Sequence, residues 1–297
     1  MDRPEALHNL RPREVTMLTD LHIHSDYSDG ELCPEELVAF VKQHGVGTVS
    51  LTDHDTVSGL DRALAAGREF DVTVIPGVEL TTYFNDREVH ILGYNIEYRA
   101  QKFSSLMNGL REKRFIRIKR MLARLRREGV DIHDKEVFGN ENSSSGDIRM
   151  SYGRPHIARV LYEKGIVRSF QDAFERYIGN ECASYLPKEN ISTVEGIRLI
   201  KEAGGAAVCA HPEDLGSEHI DTFQQNGLDG IEVYCPAHDE MQVYHYEIMA
   251  KEKGLIATAG TDMHRENRYE MKLEYLKKSP VCRTDADALF AQVKTKK

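Results

Sequence analysis

Two histidines, His22 and His24, are the residues of this sequence best placed to do chemistry. They lie in Asp20-Leu-His-Ile-His-Ser, where apolar and polar residues alternate as in a β-strand, so that residues two apart point to the same side. Two neutral imidazoles directed at one point supply half of a divalent-metal site, and Asp29 in the following turn can add a carboxylate oxygen. Whether this pair indicates a metal site depends on the presence of further metal-binding side chains in the sequence.

Further imidazoles and carboxylates fall at or just beyond the downstream ends of other predicted strands. These candidates are Asp53 with His54, Glu79, His90, His211, and Asp262 with His264. Strands alternate with helices, which predicts an α/β fold with a parallel sheet and outer helices, and the number of units favours a barrel over an open sheet. The carboxyl ends of parallel barrel strands share one face, so we expect one pocket lined by all of these donors.

A stretch of different character interrupts the alternation. From about residue 99 apolar side chains recur at helical spacing until Gly129, residues 140–153 are rich in Ser, Asn and Gly, and helical patterns return at 156–163 and 169–177. The sequence therefore predicts a helical cap subdomain at 99–191, inserted into a barrel formed by 17–98 and 192–297. Residues 1–16 are expected to be a leader, and 284–295 a closing helix.

Composition excludes several classes of protein. The chain has 297 residues and a net charge of −9, which argues against generic adhesion to nucleic acid or to an anionic membrane. No apolar run reaches the length of a membrane span and the first residues are polar, so a cytoplasmic protein is expected. Five cysteines without a Cys-x-x-Cys pair suggest neither a disulfide framework nor a thiolate zinc site.

Six short motifs together resemble those of the polymerase and histidinol phosphatase (PHP) domain, part of the amidohydrolase superfamily. They are Asp20-Leu-His-Ile-His-Ser-Asp-Tyr-Ser-Asp-Gly, Leu51-Thr-Asp-His-Asp, Gly77-Val-Glu, Val89-His-Ile-Leu-Gly, Ala210-His-Pro and Thr261-Asp-Met-His. The likeness spans residues 17–98 and about 195–265, and Met263 departs from it where many relatives have an aromatic residue. It implies a distorted seven-stranded β/α barrel, the PHP fold, with an inserted helical subdomain.

The resemblance also implies two or three divalent metal ions and their ligands. Carried over by motif, the first ion is bound by His22, His24, Glu79 and Asp262, the second by a bridging Glu79 with His90 and His211, and the third by Asp29, His54 and His264. Nitrogen and oxygen ligands without thiolate suit manganese, iron or zinc alike. A metal-bound water held by His22, His24, Glu79 and Asp262 is then the expected nucleophile.

Charge points to a phosphate ester as the substrate. Three divalent ions bring six positive charges and Asp29, Glu79 and Asp262 return three negative ones, which leaves the pocket at about +3 and suits a phosphate dianion. We therefore expect a metal-dependent phosphoesterase. Within the family the chain is most similar to enzymes that resemble nucleoside 3′,5′-bisphosphate phosphatases and 5′-to-3′ exoribonucleases, because those also carry a helical insertion. The expected substrate is a small nucleotide of the 3′,5′-bisphosphate type or the 5′ end of a short RNA.

Four residues are candidates for contacts with that substrate. Arg117 belongs to a basic stretch in which Arg111, Arg114 and Arg117 are three apart and share roughly one helix face. Such a guanidinium group can hold a second phosphate, although a solvated helix surface is the alternative. Arg154 and His156 lie in Arg-Pro-His, which resembles a segment lining the substrate pocket of the same relatives, and His238 follows a predicted strand.

Three rival functions remain open from the sequence. Histidinol phosphate phosphatase uses the same barrel with a different cap. A non-catalytic metal-binding PHP module, as found attached to polymerases, would keep the ligands without turnover. A nucleic-acid binder would depend on the basic helix alone and would show a steep salt dependence without needing metal.

Overall fold

A computed structural model describes residues 17–139, 149–188, 191–212 and 215–279. The expected leader at 1–16, the closing helix at 284–295 and residues 140–148 of the expected loop lie outside these ranges.

Seven strands form one sheet in the order in which they occur along the chain. They are β1 (Leu18–Ile23), β2 (Val46–Leu51), β3 (Thr73–Phe84), β4 (Arg87–Tyr94), β5 (Ala206–Cys209), β6 (Gly230–Tyr234) and β7 (Ile256–Ala259). The pairs β1–β2, β2–β3, β5–β6 and β6–β7 are parallel, whereas β4 runs antiparallel to both β3 and β5. The sequence-based expectation of a parallel sheet is therefore wrong for β4.

The turn between β3 and β4 explains that exception. Only Asn85 and Asp86 separate the two strands, and both have φ in the left-handed region, at 49° and 62°. A two-residue turn of this kind joins antiparallel strands, since a parallel neighbour needs a long crossover connection. The reversal brings the start of β4, and His90 with it, to the same rim as the ends of the parallel strands.

The two ends of the sheet curl towards each other. Ile23 at the end of β1 forms a parallel backbone bridge with Met263 just beyond β7, and the amide of His24 donates to the carbonyl of Met263 at 2.9 Å. The buried carboxylate of Asp20 accepts from the amide of Thr261 at 2.9 Å, which ties the same two segments together. The sheet thus forms a distorted barrel, and the predicted fold class is confirmed.

Six helices follow strands of the sheet or close the described chain. They are α1 (Pro34–Gln43), α2 (Leu60–Phe70), α7 (Thr193–Glu202), α8 (Ser217–Gln225), α9 (Glu240–Lys253) and α10 (Tyr269–Lys278). In α1, Leu37, Val38 and Val41 are buried against the barrel core, the spacing expected of an amphipathic helix. The sequence analysis did not identify α8 or α10, although Tyr269, Leu273 and Leu276 recur at helical spacing and are buried.

A second group of helices lies between β4 and α7. It comprises α3 (Gln101–Arg127), α4 (Asp134–Phe138), α5 (Arg154–Glu163) and α6 (Phe170–Ala173), which continues as a π-helical turn, Phe174–Ile178. The first half of α3 packs into the barrel core through Phe103, Met107 and Leu110. Its second half belongs to a separate apolar cluster that includes Leu122 and Leu161. The helix α3 therefore joins the two cores.

In the part of the chain that the structure describes, no helix combines the length and the apolar character needed to cross a membrane.

Candidate metal centre

Four side chains from three strands meet at the rim of the barrel. His22 and His24 project from the end of β1, Glu79 comes from β3, and Asp262 follows β7. The Nε2 atom of His22 lies 3.3 Å from Oε2 of Glu79 and 3.4 Å from Oδ1 of Asp262. The Nε2 atom of His24 lies 3.3 Å and 3.1 Å from the same two oxygens. The strand alternation therefore does direct both imidazoles to one point.

Glu79 lies at the centre of a second set of imidazoles. Its oxygens are 2.9 Å from Nδ1 of His54, 2.8 Å from Nδ1 of His90 and 3.2 Å from Nε2 of His211. Glu79 is not at the end of β3, as the sequence suggested, because β3 continues past the barrel rim as one arm of the hairpin with β4. Its backbone pairs with His54 at the point where β2 has ended.

Asp29 forms the third corner of the site. Its Oδ1 atom lies 3.2 Å from Nε2 of His264, and its Oδ2 atom lies 3.9 Å from Nε2 of His54. The His264 ring stacks on that of His24, with centroids 4.2 Å apart. The structure thus brings all nine predicted ligands into one connected cluster, which we call the metal-centre donors: His22, His24, Asp29, His54, Glu79, His90, His211, Asp262 and His264.

Several buried polar atoms of this cluster lack a hydrogen-bond partner, as expected of ligands for a cation. Six of its buried nitrogen and oxygen atoms have no hydrogen-bond partner among the described residues: His22 Nε2, His24 Nε2, Asp29 Oδ1, His54 Nδ1, Glu79 Oε2 and His90 Nδ1. Yet oppositely charged partners lie within 3.5 Å of each of them. The atoms are therefore close without being aimed at one another, as expected when their lone pairs converge on a shared centre.

Four subsets of the metal-centre donors could each hold an ion, since their ligand atoms lie within 4.8 Å of one another. They are His24, Asp29, His54 and His264; His22, Glu79 and His211; His22, His24 and Asp262; and His54, Glu79 and His90. The subsets share members, so neighbouring positions would be bridged. Their imidazole and carboxylate ligands, with no thiolate, suit a first-row divalent ion.

Without bound ions, the imidazoles and carboxylates of the cluster shift one another's pKa values. Burial would raise the pKa of Glu79, but the imidazoles of His54, His90 and His22 outweigh it and hold the pKa well below its ordinary value. Burial opposes the charged form of His264, but Asp29 and Asp262 raise its pKa to about 10. Since metal ions bind neutral imidazoles, loading the site would release the protons that give the imidazoles their charge.

Two further buried carboxylates support the ligand segments and were missed by the sequence analysis. Asp20 holds Thr261, next to Asp262, as described for the barrel closure. Glu232, on β6, accepts from Nδ1 of His22 at 3.1 Å and from the amide of His211 at 3.0 Å. The available signal was a single acidic residue inside the apolar run Gly-Ile-Glu-Val-Tyr.

Three arginines of α3 are buried where the helix contacts the barrel rim and the other inserted segments. Arg111, Arg114 and Arg117 are all buried, which confirms that they share a face and contradicts the solvated alternative. Arg111 donates to the hydroxyl of Thr56 at 2.9 Å, and Arg114 forms an ion pair with the buried Asp55. Both residues thereby attach α3 to the segment that follows His54.

Arg117 and Arg154 differ from Arg114 in having no carboxylate partner among the described residues, and Arg154 donates instead to Oδ1 of Asn180 at 2.8 Å. Their guanidinium groups lie over the ring of Tyr185, 5.6 Å and 5.5 Å from its centroid. Arg117 donates through Nε to the carbonyl of Leu186 at 2.7 Å, while its buried Nη2 has no partner in the described ranges. Burial, then Arg154 and Arg114, lower the pKa of Arg117 to about 10. We call Arg117, Arg154 and Tyr185 the arginine pocket.

The two remaining candidates, His156 and His238, are both buried but differ in their surroundings. Nδ1 of His156 accepts from the amide of Gly153 at 3.1 Å, so the ring proton is on Nε2. Nδ1 of His238 donates to the carbonyl of Val233 at 2.9 Å, and its ring stacks on Tyr246. Within the described ranges, no hydrogen bond, ion pair or ring contact joins His238 to another predicted site residue.

Lys188 and Glu88 are additional charged residues near the site that the sequence analysis did not select. Oε1 of Glu88 lies 2.6 Å from Nζ of Lys188 and 3.0 Å from Nε2 of His90. Burial, then Arg114, lower the pKa of Lys188 to about 8. The spacing Glu88-x-His90 on one face of a strand was the available signal for Glu88, whereas Lys188 lies in an irregular segment without one.

Comparisons with known proteins agree with this geometry. The sequence profile of the PHP domain matches residues 20–178. A 5′-3′ exoribonuclease of Haemophilus influenzae is 34% identical over 263 residues, which cover 84% of this chain and 91% of that protein. A 3′,5′-nucleoside bisphosphate phosphatase of Chromobacterium violaceum is 31% identical, over 82% of this chain and 86% of that protein. Among solved structures, an amidohydrolase from Chromobacterium violaceum with bound sulfate and no metal is similar, with a TM-score of 0.77, 30% identity and coverage of 84% and 88%.

Proposed function

The chain belongs to the PHP domain family and is a metal-dependent phosphoesterase, and we propose that its metal-centre donors bind two or three divalent ions to hydrolyse a nucleotide phosphate. The substrate is a phosphate monoester of the 3′,5′-bisphosphate type or the 5′ end of a short RNA. The observation that carries this proposal is the set of buried, unpartnered donor atoms converging beside a second, positively charged pocket.

The ligand sets inferred from the motifs overlap with the observed groupings without being identical to them. The first set corresponds to His22, His24 and Asp262, and the third, Asp29, His54 and His264, also includes His24. Glu79 of the second set approaches both His90 and His211, but the observed groupings place it with His54 and His90 or with His22 and His211. Divalent ions of manganese, iron or zinc, when bound, supply Lewis acidity and activate water at neutral pH. The chain's own contribution is to fix the ligand directions through backbone pairing of β1, β3 and the segment after β7.

The arginine pocket is the proposed site of the substrate's second phosphate. Two guanidinium groups without carboxylate partners, one with a buried unmet donor, need an anion to offset their charge. The sulfate in the similar Chromobacterium violaceum structure shows that an anion binds in that protein, and two relatives act on a nucleoside bisphosphate or on RNA. Both relatives' substrates present phosphate groups in addition to the one that is cleaved.

His156 is proposed to donate a hydrogen bond to the bound substrate. Its Nδ1 is occupied by the amide of Gly153, so Nε2 carries the proton. Burial is the largest cause that lowers the pKa of His156, which is about 4. The charge of Asp29, next in size, raises this pKa, and the charge of Arg159 lowers it. The ring is therefore a neutral donor near neutral pH. His238, which has no contact with the other site residues in the described chain, is the weaker candidate.

Residues 99–191 are proposed to act as a cap that sets substrate size. Arg111, Arg114 and the amide of Ser151, which donates to the carbonyl of Tyr27 at 2.7 Å, attach this segment to the barrel rim. A cap fixed in this way favours small nucleotides or a free chain end over the interior of a long polymer. The cytoplasmic location expected from composition stays a prediction.

Replacing His22 and His24 by alanine tests the proposal directly. The double variant is expected to lose both bound metal, measured by inductively coupled plasma mass spectrometry, and phosphate release from adenosine 3′,5′-bisphosphate. The exposed His245, on α9, provides a matched control when it is also replaced by alanine. Full activity of the double variant would refute the proposed function.

Steady-state turnover separates the rivals. A preference for adenosine 3′,5′-bisphosphate or a 5′-phosphorylated oligoribonucleotide over histidinol phosphate is expected, because the arginine pocket has no role with a single phosphate. A preference for histidinol phosphate would support the rival phosphatase. Bound metal without turnover of any phosphate ester would instead support the non-catalytic module.

A further inference from the structure

Glu232 is a buried acid whose role the metal-binding proposal leaves unassigned. It lies in the middle of β6, its side chain is fully buried, and its ion-pair partner among the described residues is His22 rather than a lysine or arginine. It belongs to none of the four groups that could hold a metal. Burying a carboxylate destabilises the folded protein unless hydrogen bonds compensate for the lost hydration. The hydrogen bonds of Glu232 therefore indicate its role.

The first of these bonds determines which nitrogen of His22 carries the proton. Nδ1 of His22 lies 3.1 Å from Oε1 and 3.3 Å from Oε2 of Glu232. An ionised carboxylate can only accept hydrogen bonds, so Nδ1 must be the protonated nitrogen. The lone pair is then on Nε2, the buried atom that faces Glu79 and Asp262 without a hydrogen-bond partner in the described chain.

The second bond holds a different strand end. The amide of His211 donates to Oε2 of Glu232 at 3.0 Å. His211 has a φ of 25°, in the left-handed half of the map that residues other than glycine rarely occupy. Such a conformation persists only where its surroundings impose it. It directs the His211 ring towards Glu79, with Nε2 at 3.2 Å from Oε1.

We infer that Glu232 is a positioning residue that fixes the ring of His22 and the backbone of His211 together, and so prepares one ligand for each of two neighbouring metal positions. This inference rests on the proposed metal binding. The packing leaves the carboxylate little room to move, since a side chain on Gly260 would overlap both His22 and Glu232. The subset His24, Asp29, His54 and His264 contains neither residue that Glu232 holds, and it is predicted to be unaffected by the loss of Glu232.

The variant Glu232→Gln keeps the size of the side chain but replaces one acceptor oxygen with a donor. An amide has one acceptor and one donor group, whereas His22 Nδ1 and the His211 amide both need acceptors. If the amide oxygen takes the place of Oε2, it lies 3.0 Å from the His211 amide and 3.3 Å from His22 Nδ1, but the amide nitrogen then lies 3.1 Å from Nδ1 and favours the tautomer with the proton on Nε2. If the oxygen faces His22, the amide nitrogen opposes the His211 N–H and the left-handed backbone loses its support.

The matched control is Asp229→Asn. Asp229 precedes Glu232 by three residues, accepts from the amide of Ala207 at 2.9 Å and pairs with Lys201, but contacts none of the metal-centre donors. Both variants remove a carboxylate that bonds a neighbouring strand of the same sheet. If both variants lose stability to the same extent, that loss does not support the proposal that Glu232 positions His22 and His211.

The experiment titrates metal-free wild type, E232Q and D229N with Zn²⁺ against a competing chelator. We expect about 10- to 100-fold weaker binding in E232Q at two positions, the usual cost of losing a partner that orients a ligand, with the third position retained. D229N should bind as wild type does. The ring spectrum of the zinc-saturated protein should show His22 protonated at Nδ1 in wild type and D229N, and in E232Q the resonance of that proton should move upfield because it loses its carboxylate acceptor.

The outcomes separate this inference from the proposed function. Equal zinc affinity and an unchanged His22 signal in E232Q would overturn the positioning role and leave the metal site intact. A wild-type protein that binds no zinc, manganese or iron would overturn the proposed function itself. If E232Q fails to fold, Glu232→Asp serves in its place, because it keeps two acceptor oxygens and should retain the Nδ1 signal with a smaller loss of affinity.

Discussion

The metal-centre donors and the arginine pocket are both partly buried clusters of polar groups, but they lack opposite kinds of partner. In the first, carboxylate oxygens and imidazole nitrogens lie close together with unmet lone pairs. In the second, Arg117 and Arg154 both lie over the ring of Tyr185 with no carboxylate partner among the described residues. In the proposed function, cations complement the first cluster and an anion complements the second. A substrate with two phosphate groups would then place one at the metal ions and the other at the arginines.

Two histidines show how strongly the neighbours differ between these regions. Burial disfavours the charged ring of both His264 and His156, although His156 is the more deeply buried of the two. Asp29 and Asp262 outweigh burial at His264 and raise its pKa to about 10. At His156 the charge of Asp29 is too weak to offset burial, to which Arg159 and Arg114 add, and the pKa falls to about 4. The sign of the surrounding charge, rather than burial, therefore distinguishes these two histidines. Within the metal centre itself, burial and then the charge of His264 lower the pKa of His24 to about 3.

The largest effect is expected from Glu79→Gln. Five imidazoles face this carboxylate, at distances from 2.8 to 3.3 Å, so its charge serves most of the metal-centre donors. Phosphate release should fall by about 1,000-fold or more, the upper order of loss when a group stabilising transition-state charge is removed, and metal content should fall with it. Glu202→Gln, at an exposed carboxylate paired with Lys102, is the control. Normal metal content in E79Q would show that Glu79 is not a ligand.

A smaller and more selective effect is expected from Arg117→Met. A hydrogen bond to a charged group contributes about 1.5–3 kcal/mol, so kcat/KM for adenosine 3′,5′-bisphosphate should fall by about 10- to 150-fold. Metal content should not change, and a nucleoside monophosphate should be affected less. Arg120→Met, at an exposed arginine of the same helix, should have no such effect. Equal losses for both substrates would place Arg117 outside the second-phosphate site and remove the contrast between the two clusters.

Features that depend on residues close together in the sequence could be predicted, whereas contacts between distant segments could not. The same-side projection of His22 and His24 follows from strand alternation, and the shared face of Arg111, Arg114 and Arg117 follows from helical spacing. The position of His90 required the direction of β4, which the short Asn85-Asp86 turn had indicated but which the alternation of strands and helices obscured. The pairing of Arg117 with Arg154 depends on how two distant helices pack, and no local pattern encodes it.

Glu232 and Lys188 mark the limit of motif reasoning for the same physical reason. Each is identified by what it contacts from another strand or segment, His22 and His211 in one case and Glu88 in the other. Neither lies in a motif that resembles the family's ligands. An isolated acid in an apolar strand is visible in the sequence, but its partners are not.

The smallest expected effect is on the free energy of unfolding. It tests the contrast between the lowered pKa of His156 and the raised pKa of His264. Its pKa is about 4 in the folded protein against an ordinary value of 6.5, so the unfolded chain takes up a proton first as the pH falls. The stabilising contribution is complete above pH 6.5 and is lost progressively as the pH falls from there towards 4. Between pH 7 and pH 5 this residue alone should lower the free energy of unfolding by roughly 2 kcal/mol.

The variant His156→Gln removes that titration while keeping an acceptor for the amide of Gly153. Urea unfolding of the metal-free protein at pH 7 and pH 5 should therefore show a difference about 2 kcal/mol smaller in H156Q than in wild type. His245→Gln, at an exposed histidine, should keep the wild-type difference. Histidines with a raised pKa, such as His264, lose their contribution only as the pH rises above 6.5, so they do not compete in this window. An identical pH dependence in H156Q and wild type would mean that burial and the nearby Arg159 and Arg114 do not keep His156 neutral, and the contrast with His264 would not hold.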